Sequence, residues 1–126
     1  MEKIKSVEEL AVFKKAHALT LSLYKISRRF PEEEKFGLVS QMRRAASSIA
    51  ANLMEGSHRL GKNEYRQFSG IAKGSAGELK YHLLLVLLAK DLGYLSEQEY
   101  ESFRAEADEI SKMLSGLVKS LSLSKP

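Results

Sequence analysis

The stretch "SQMRRAASSIAANLMEGSHR", residues 40–59, decides the fold. Apolar residues in and just before it recur every three or four positions, the spacing that places side chains on one face of an α-helix. Seven of the other sixteen positions are alanine or serine, which are small enough to let a second helix approach closely. We therefore predict a helix over about residues 36–59 that packs against a neighbour through the stripe Leu38, Met42, Ala45, Ile49 and Leu53.

The same periodicity appears on both sides of this stretch. One stripe predicts a first helix over about residues 7–29, which Pro31 ends. Another predicts a long helix over 62–92, with Gly93 as its left-handed cap. Ser96 and Glu99 form an S-x-x-E capping box that opens a fourth helix over 96–121. Four amphipathic helices with short connections predict one all-α domain over residues 1–126, an up-down-up-down antiparallel four-helix bundle.

Several classes of protein are disfavoured by what the sequence lacks. The longest apolar run, residues 83–89, is far shorter than the roughly 20 residues that span a bilayer. The N-terminus has no secretory signal pattern, so we expect a cytoplasmic protein. The chain has no cysteine, and its histidines, His17, His58 and His82, lie on different predicted helices or helix ends. We expect no enzymatic activity, no metal site and no cofactor.

The apolar run in the third predicted helix indicates self-association. Seven successive apolar residues cover every side of the helix, whereas a bundle helix buries only a stripe. We expect a second copy of the chain to cover Leu84, Leu85 and Leu88; the alternative is a central helix shielded by its own bundle. Residues 96–112 carry six acids against two bases, so a ring of copies would pair this acidic flank with a basic one.

The second helix also carries a polar stripe, and the third carries glycines at positions 70, 74 and 77. If the small residues of the two helices face each other, a charged side chain at the crossing needs a partner of opposite charge. We therefore predict a close crossing with a buried polar network of Arg44, Ser48, Asn52, Glu55 and Glu78. Arg43, about 100° further round the helix, is predicted to point outward toward a phosphate.

Positive charge is concentrated in the first half of the chain. Residues 1–63 carry twelve Lys and Arg against seven Asp and Glu, a net +5, whereas residues 64–126 carry eight against nine, a net −1. Such a distribution fits a surface that contacts phosphates. The candidate nucleic-acid-binding residues are Lys14, Lys25, Arg28, Arg29, Arg43, Arg59, Lys62 and Arg66. If these cations instead pair with the acidic helix of a neighbour, the protein is a protein-interaction or scaffold module.

Three stretches carry a resemblance: "FGLVSQMRRAASSIAANLMEGSHR", "YRQFSGIAKGSAGELKYHL" and "AKDLGYLSEQEY". They resemble the four-helix-bundle family of proteins encoded in intervening sequences of bacterial 23S ribosomal-RNA genes. That family is similar in turn to the accessory protein of diversity-generating retroelements, which partners a reverse transcriptase. The resemblance implies a barrel-like homopentamer that is not an enzyme and associates with RNA or DNA.

Overall fold

Four α-helices make up most of the computed structural model, which describes residues 7–88 and 93–123. They are α1 (Ala11–Ser27), α2 (Leu38–Ser57), α3 (Lys62–Leu88) and α4 (Glu97–Leu123), with short 3-10 turns at Val7–Glu9 and Glu32–Glu34. No strand occurs within these described ranges. The predicted all-α four-helix bundle is confirmed.

Side-chain contacts set the antiparallel order of the helices. Arg44 of α2 contacts Glu78 of α3 at 2.6 Å, and four residues later Ser48 contacts Ser75 at 2.8 Å, so the two helices run in opposite directions. The same opposition relates α4 to α3 and to α1, through the pairs Lys80–Asp108, Arg66–Ser122, Lys15–Glu109 and Arg29–Glu99. At one end of the bundle α1 finishes and both α2 and α4 begin, and we name it the Arg28 end. We name the opposite end the Lys62 end.

In α1, α2 and α3 the core lies along the apolar stripes that the sequence predicts, and α4 adds a buried stripe of its own. Each helix contributes large side chains with no exposed surface, and these are Leu19 and Leu23 of α1, Met42, Ile49 and Leu53 of α2, Leu79 and Leu83 of α3, and Ile110 and Leu114 of α4. Burying each such side chain contributes about 1.5 to 3 kcal/mol relative to leaving it exposed.

The helix ends differ in detail from the predicted ones. The first helix was predicted from residue 7, but Leu10 has an extended backbone with ψ of 135°, so the α-helix begins only at Ala11. It ends at Ser27, two residues before the predicted end. The predicted last turn of the third helix, residues 89–92, lies outside the described residues. Gly93 has a φ of 67°, the left-handed conformation that its predicted role requires.

The predicted capping box at the start of α4 is confirmed. The Ser96 hydroxyl accepts a hydrogen bond from the Glu99 amide at 3.1 Å, and the Glu99 carboxylate accepts one from the Ser96 amide at 2.9 Å. Arg29, two residues after the end of α1, also donates to this carboxylate. The hydrogen bond from Arg29, with that from Ser96, lowers the pKa of Glu99 below its usual value. The cap therefore ties the start of α4 to the end of α1.

Removing the cap should weaken the fold. We expect Ser96→Ala to lower the free energy of unfolding by about 1 kcal/mol, because the first-turn amide loses its acceptor. Thermal or urea unfolding followed by circular dichroism measures the change. Ser102→Ala, at an exposed position inside α4, is the control and should be neutral or slightly stabilising. Equal stability of the two variants would contradict the role given to the Ser96 hydroxyl.

The close crossing of α2 and α3 occurs at a different glycine from those predicted. A Cβ atom built at Gly70, Gly74 or Gly77 would have no neighbour within 4 Å, so the prediction that these glycines form the crossing is wrong. A Cβ at Gly56 would lie 2.8 Å from the Cβ of Phe68, closer than two carbon atoms pack. Gly56 lies within α2, one residue before its end, and it lets α3 approach.

Candidate nucleic-acid interface

The eight predicted nucleic-acid-binding residues lie in two groups rather than one patch. One group is at the Arg28 end and contains Lys25, Arg28, Arg29 and Arg43. The other group is toward the Lys62 end and contains Lys14, Arg59, Lys62 and Arg66. The 17 residues of α1 span about 26 Å at 1.5 Å per residue. Lys14 and Lys25, one from each group, are therefore about 16 Å apart along the axis of α1.

Four of these cations are engaged within the chain. Arg29 contacts Glu99 and also donates to the Tyr94 carbonyl at 3.2 Å. Arg59 pairs with Glu55 at 2.9 Å, lies 3.6 Å from Glu64 and stacks over the Phe68 ring at 4.8 Å. Arg66 donates to the Ser122 hydroxyl at 3.3 Å. Arg43 is held by α1, as described below. Engaged cations have fewer donors left for a phosphate.

The other four cations are free. Lys14, Lys25, Arg28 and Lys62 are exposed, and within residues 7–88 and 93–123 their side chains make no hydrogen bond or ion pair. Lys14 and Lys25 are eleven residues apart on α1, which places them on the same face of the helix. Arg28 continues this face just past the end of α1. Of the eight predicted cations, these four are available for an anionic ligand; Lys73, Lys112 and Lys119 are likewise exposed and unpaired in the described part of the chain.

Arg43 does not point freely outward, which corrects the prediction made from the helical wheel. Its Nε donates to the Ser27 hydroxyl at 2.9 Å and its Nη2 to the Tyr24 carbonyl at 3.1 Å. Its guanidinium also lies 4.5 Å from the centre of the Tyr24 ring. The last carbonyls of a helix lack helical partners, and Arg43 supplies one of them with a donor. Arg43 therefore ties α2 to the end of α1.

Arg44 forms an ion pair that is more exposed than the predicted network. The Arg44 side chain is 59% exposed and that of its partner Glu78 is 38% exposed. Glu78 also accepts a hydrogen bond from His82 at 3.3 Å. The hydrogen bond from His82, together with the charge of Arg44, lowers the pKa of Glu78. An exposed pair of this kind contributes little to stability.

The remaining members of the predicted network separate from Arg44. Ser48 contacts Ser75 across the helix crossing at 2.8 Å, and the Asn52 amide donates to Ser48 at 2.8 Å. Glu55 belongs to neither cluster, because its contact is with Arg59. Some of the predicted residues thus contact each other in pairs, but the five residues do not form one connected buried network. The part-buried cluster is the neutral one, which avoids the cost of burying a charge.

Three of the six acidic residues of α4 form ion pairs within the chain. Glu109 contacts Lys15 at 3.0 Å, Asp108 contacts Lys80 at 2.8 Å, and Glu99 contacts Arg29. The hydrogen bond from Lys80 lowers the pKa of Asp108. Among the described residues, Glu97 and Glu101 have no such partner and are exposed. The pairing of this acidic flank with a basic flank of a second copy stays a prediction, to which Glu97 and Glu101 are available.

The outer face of α3 exposes apolar side chains. Leu84 and Leu85 are each 38% exposed and Leu88 is 71% exposed, whereas Leu83 and Val86 face the core. The alternative of a central helix shielded by its own bundle fails for these leucines. We call Leu84, Leu85 and Leu88 the leucine face. No helix within the described ranges is long and apolar enough to cross a membrane.

These features define a small antiparallel helical bundle with free cations along α1 and an apolar face on α3. A family model described as "23S rRNA-intervening sequence protein" matches residues 8–116. The chain belongs to this family, as the sequence resemblance predicted. No curated protein matches the chain.

A solved structure supports the same assignment. It is the crystal structure of a protein with unknown function from the S23 ribosomal protein family of Bacteroides thetaiotaomicron. That protein is 26% identical to this chain, and the superposition covers 86% of this chain and 99% of the other, with a TM-score of 0.76. The bundle and its helix order are thus those of a solved relative.

Proposed function

We propose that the protein is a non-enzymatic, homo-oligomeric, cytoplasmic accessory protein that binds RNA through its free cations. One observation carries the proposal. Among the eight cations predicted to bind nucleic acid, Lys14, Lys25, Arg28 and Lys62 remain exposed and unpaired within the described residues. Family membership supports an RNA-associated role.

The proposed binding is electrostatic and independent of base sequence. Lysine and arginine side chains on a helix face contact phosphate oxygens, and each contact releases counterions from the nucleic acid. Such contacts position a protein on the backbone without reading bases. Repeating the α1 face in an oligomer would multiply these contacts, so a modest charge per chain suffices for binding.

Binding to three nucleic acids tests the proposal. Fluorescence anisotropy with labelled single-stranded RNA, duplex RNA and duplex DNA, across a salt series, gives the affinity and its salt dependence. We expect RNA binding with a micromolar or lower dissociation constant. The logarithm of the association constant should fall linearly with the logarithm of the salt concentration. Absence of RNA binding at low salt by folded protein of measured mass would overturn the proposal.

The leucine face is the proposed contact between copies. We expect Leu85→Glu with Leu88→Glu to reduce the mass in solution to that of a monomer, because two charges would be buried unpaired in the contact. Light scattering measures the mass and circular dichroism checks that the helices persist. Leu60→Glu is the control, since Leu60 is fully exposed in the α2–α3 turn, away from this face. A wild-type monomer, or a double variant that still assembles, would contradict the proposed contact.

A second function follows from the same surface. Exposed apolar patches on soluble proteins commonly mark protein interfaces. If the leucine face binds a different protein, such as a reverse transcriptase, the chain is an interaction or scaffold module. This function is favoured if the protein is a monomer, binds no RNA and needs its leucine face to hold that partner.

A further inference from the structure

A cavity of about 170 Å³ opens at the Arg28 end, between the end of α1, the Glu32–Glu34 turn and the start of α2. Three cationic residues line it, Arg28, Lys35 and Arg43. One ordered water needs only about 10 to 15 Å³ of such space, so the cavity has room for a group of several heavy atoms. Lys35 was not among the residues predicted from the sequence.

Arg43 is already held in position at this cavity. A guanidinium has five N–H donors, and the contacts to Ser27 and Tyr24 use two of them. Three donors remain, on a group whose orientation is fixed before any ligand arrives. A preorganised donor loses little conformational entropy on binding. Arginine donors fit the oxygens of phosphate groups particularly well.

The charge at the cavity favours a doubly charged anion. Three cations stand against one lining carboxylate, Glu32, which leaves a surplus of two positive charges. Glu32 lies 3.8 Å from Lys35, and its side chain is 88% exposed, so it can turn away into water. Arg28 has no ion-pair partner in the described part of the chain. The buried side chains of Phe30 and Val39 line the cavity as well.

We propose that this cavity binds a phosphomonoester, the terminal phosphate of an RNA strand. A phosphomonoester carries close to two negative charges and three acceptor oxygens, which matches the charge surplus and the unused donors. An internal phosphodiester carries one charge and matches less well. The inference rests on the proposed RNA binding and adds a preference for strand ends to it.

The test compares RNA oligonucleotides of one sequence that bear a 5′-phosphate, a 3′-phosphate or only hydroxyl ends. We expect one phosphorylated form to bind about tenfold more tightly than the hydroxyl form, the scale of one or two charged hydrogen bonds. Lys35→Ala should bring this ratio close to one, because it removes one of the three cations. Arg43→Lys, which retains the charge but loses the forked donors, should reduce the ratio as well. Lys119→Ala, on α4 near the Lys62 end, should leave the ratio unchanged.

The outcomes separate this inference from the proposed function. RNA binding with equal affinity for all three ends, or a ratio that Lys35→Ala leaves intact, overturns the terminal-phosphate site while RNA binding stands. Absence of binding to every RNA overturns the proposed function itself. A nucleoside monophosphate that binds as tightly as the phosphorylated RNA identifies a free nucleotide as the ligand and overturns the assignment to strand ends. If inorganic phosphate removes only the extra affinity of the phosphorylated RNA and leaves the binding of the hydroxyl form intact, the site is supported.

Discussion

Reversing two charges on the α1 face, with Lys25→Glu and Arg28→Glu, is expected to weaken RNA binding roughly 100-fold near 0.1 M salt. Each phosphate contact contributes about 0.7 to 0.9 to the slope of log affinity against log salt, a factor of about five to eight at this concentration, and each reversed charge adds repulsion to the lost contact. The slope itself should therefore fall by about 1.5. Both side chains are exposed and unpaired among the described residues, so the fold should be retained.

A matched pair of reversals on α4 controls for net charge. Lys112→Glu with Lys119→Glu changes the total charge by the same amount at exposed positions toward the Lys62 end. We expect this variant to lose at most a few-fold in affinity. Equal losses in the two double variants would mean that binding follows the net charge of the protein rather than the α1 face. Anisotropy titrations at three salt concentrations measure both the affinities and the slopes.

Filling the close crossing of α2 and α3 should have the largest effect on stability. A Cβ at Gly56 would lie 2.8 Å from Phe68 Cβ and 3.4 Å from Tyr65 Cα, and neither atom is at the flexible end of a side chain. We expect Gly56→Val to lower the free energy of unfolding by about 3 kcal/mol, the upper part of the usual range for overpacking. Urea unfolding monitored by circular dichroism measures the loss.

Gly116→Val is the control for the effect of replacing glycine in a helix. Gly116 lies inside α4, and a Cβ there would meet no atom within 4 Å. Because valine favours the helix more than glycine does, this variant should be unchanged or stabilised by a few tenths of a kcal/mol. A Gly56→Val protein as stable as Gly116→Val would show that α2 and α3 do not approach closely at Gly56.

The sequence predicts the bundle well because hydrophobic periodicity records which face of a helix is buried. Leu19, Ile49, Leu79 and Ile110 belong to four different helices, and all four are fully buried. The capping box at Ser96 is equally predictable from the sequence, because its hydrogen bonds join residues only three positions apart. Features that depend on one helix or one turn are therefore accessible from sequence alone.

The glycines show where this reasoning failed and what signal was missed. Gly77 follows Ser75 by two positions, which is about 200° around a helix, so it cannot share the buried face of Ser75. The apolar stripe of the third helix already contained this information. The small size of a residue does not by itself place it at a crossing; the direction in which the residue points around the helix decides this.

Whether an arginine side chain is held by other residues or is free depends on contacts between helices, which the helical wheel of a single helix cannot predict. Arg43 is held because the final carbonyls of α1 lie beside α2, and Arg29 is held because α4 begins beside α1. Arg28 and Arg44, which are next to them in the sequence, lie in different surroundings and make different contacts. Lys35 was missed because three glutamates precede it in the sequence.

Lysine footprinting on the bound complex tests the central claim most directly. Acetylation of the folded protein with a water-soluble reagent, with and without RNA, is read residue by residue by mass spectrometry. We predict that RNA slows the modification of Lys14 and Lys25 on α1 and of Lys62, while Lys119 on α4 reacts at the same rate in both samples. Bound RNA that leaves α1 unprotected, or that protects Lys119 equally, would contradict an RNA interface built on the free cations of α1.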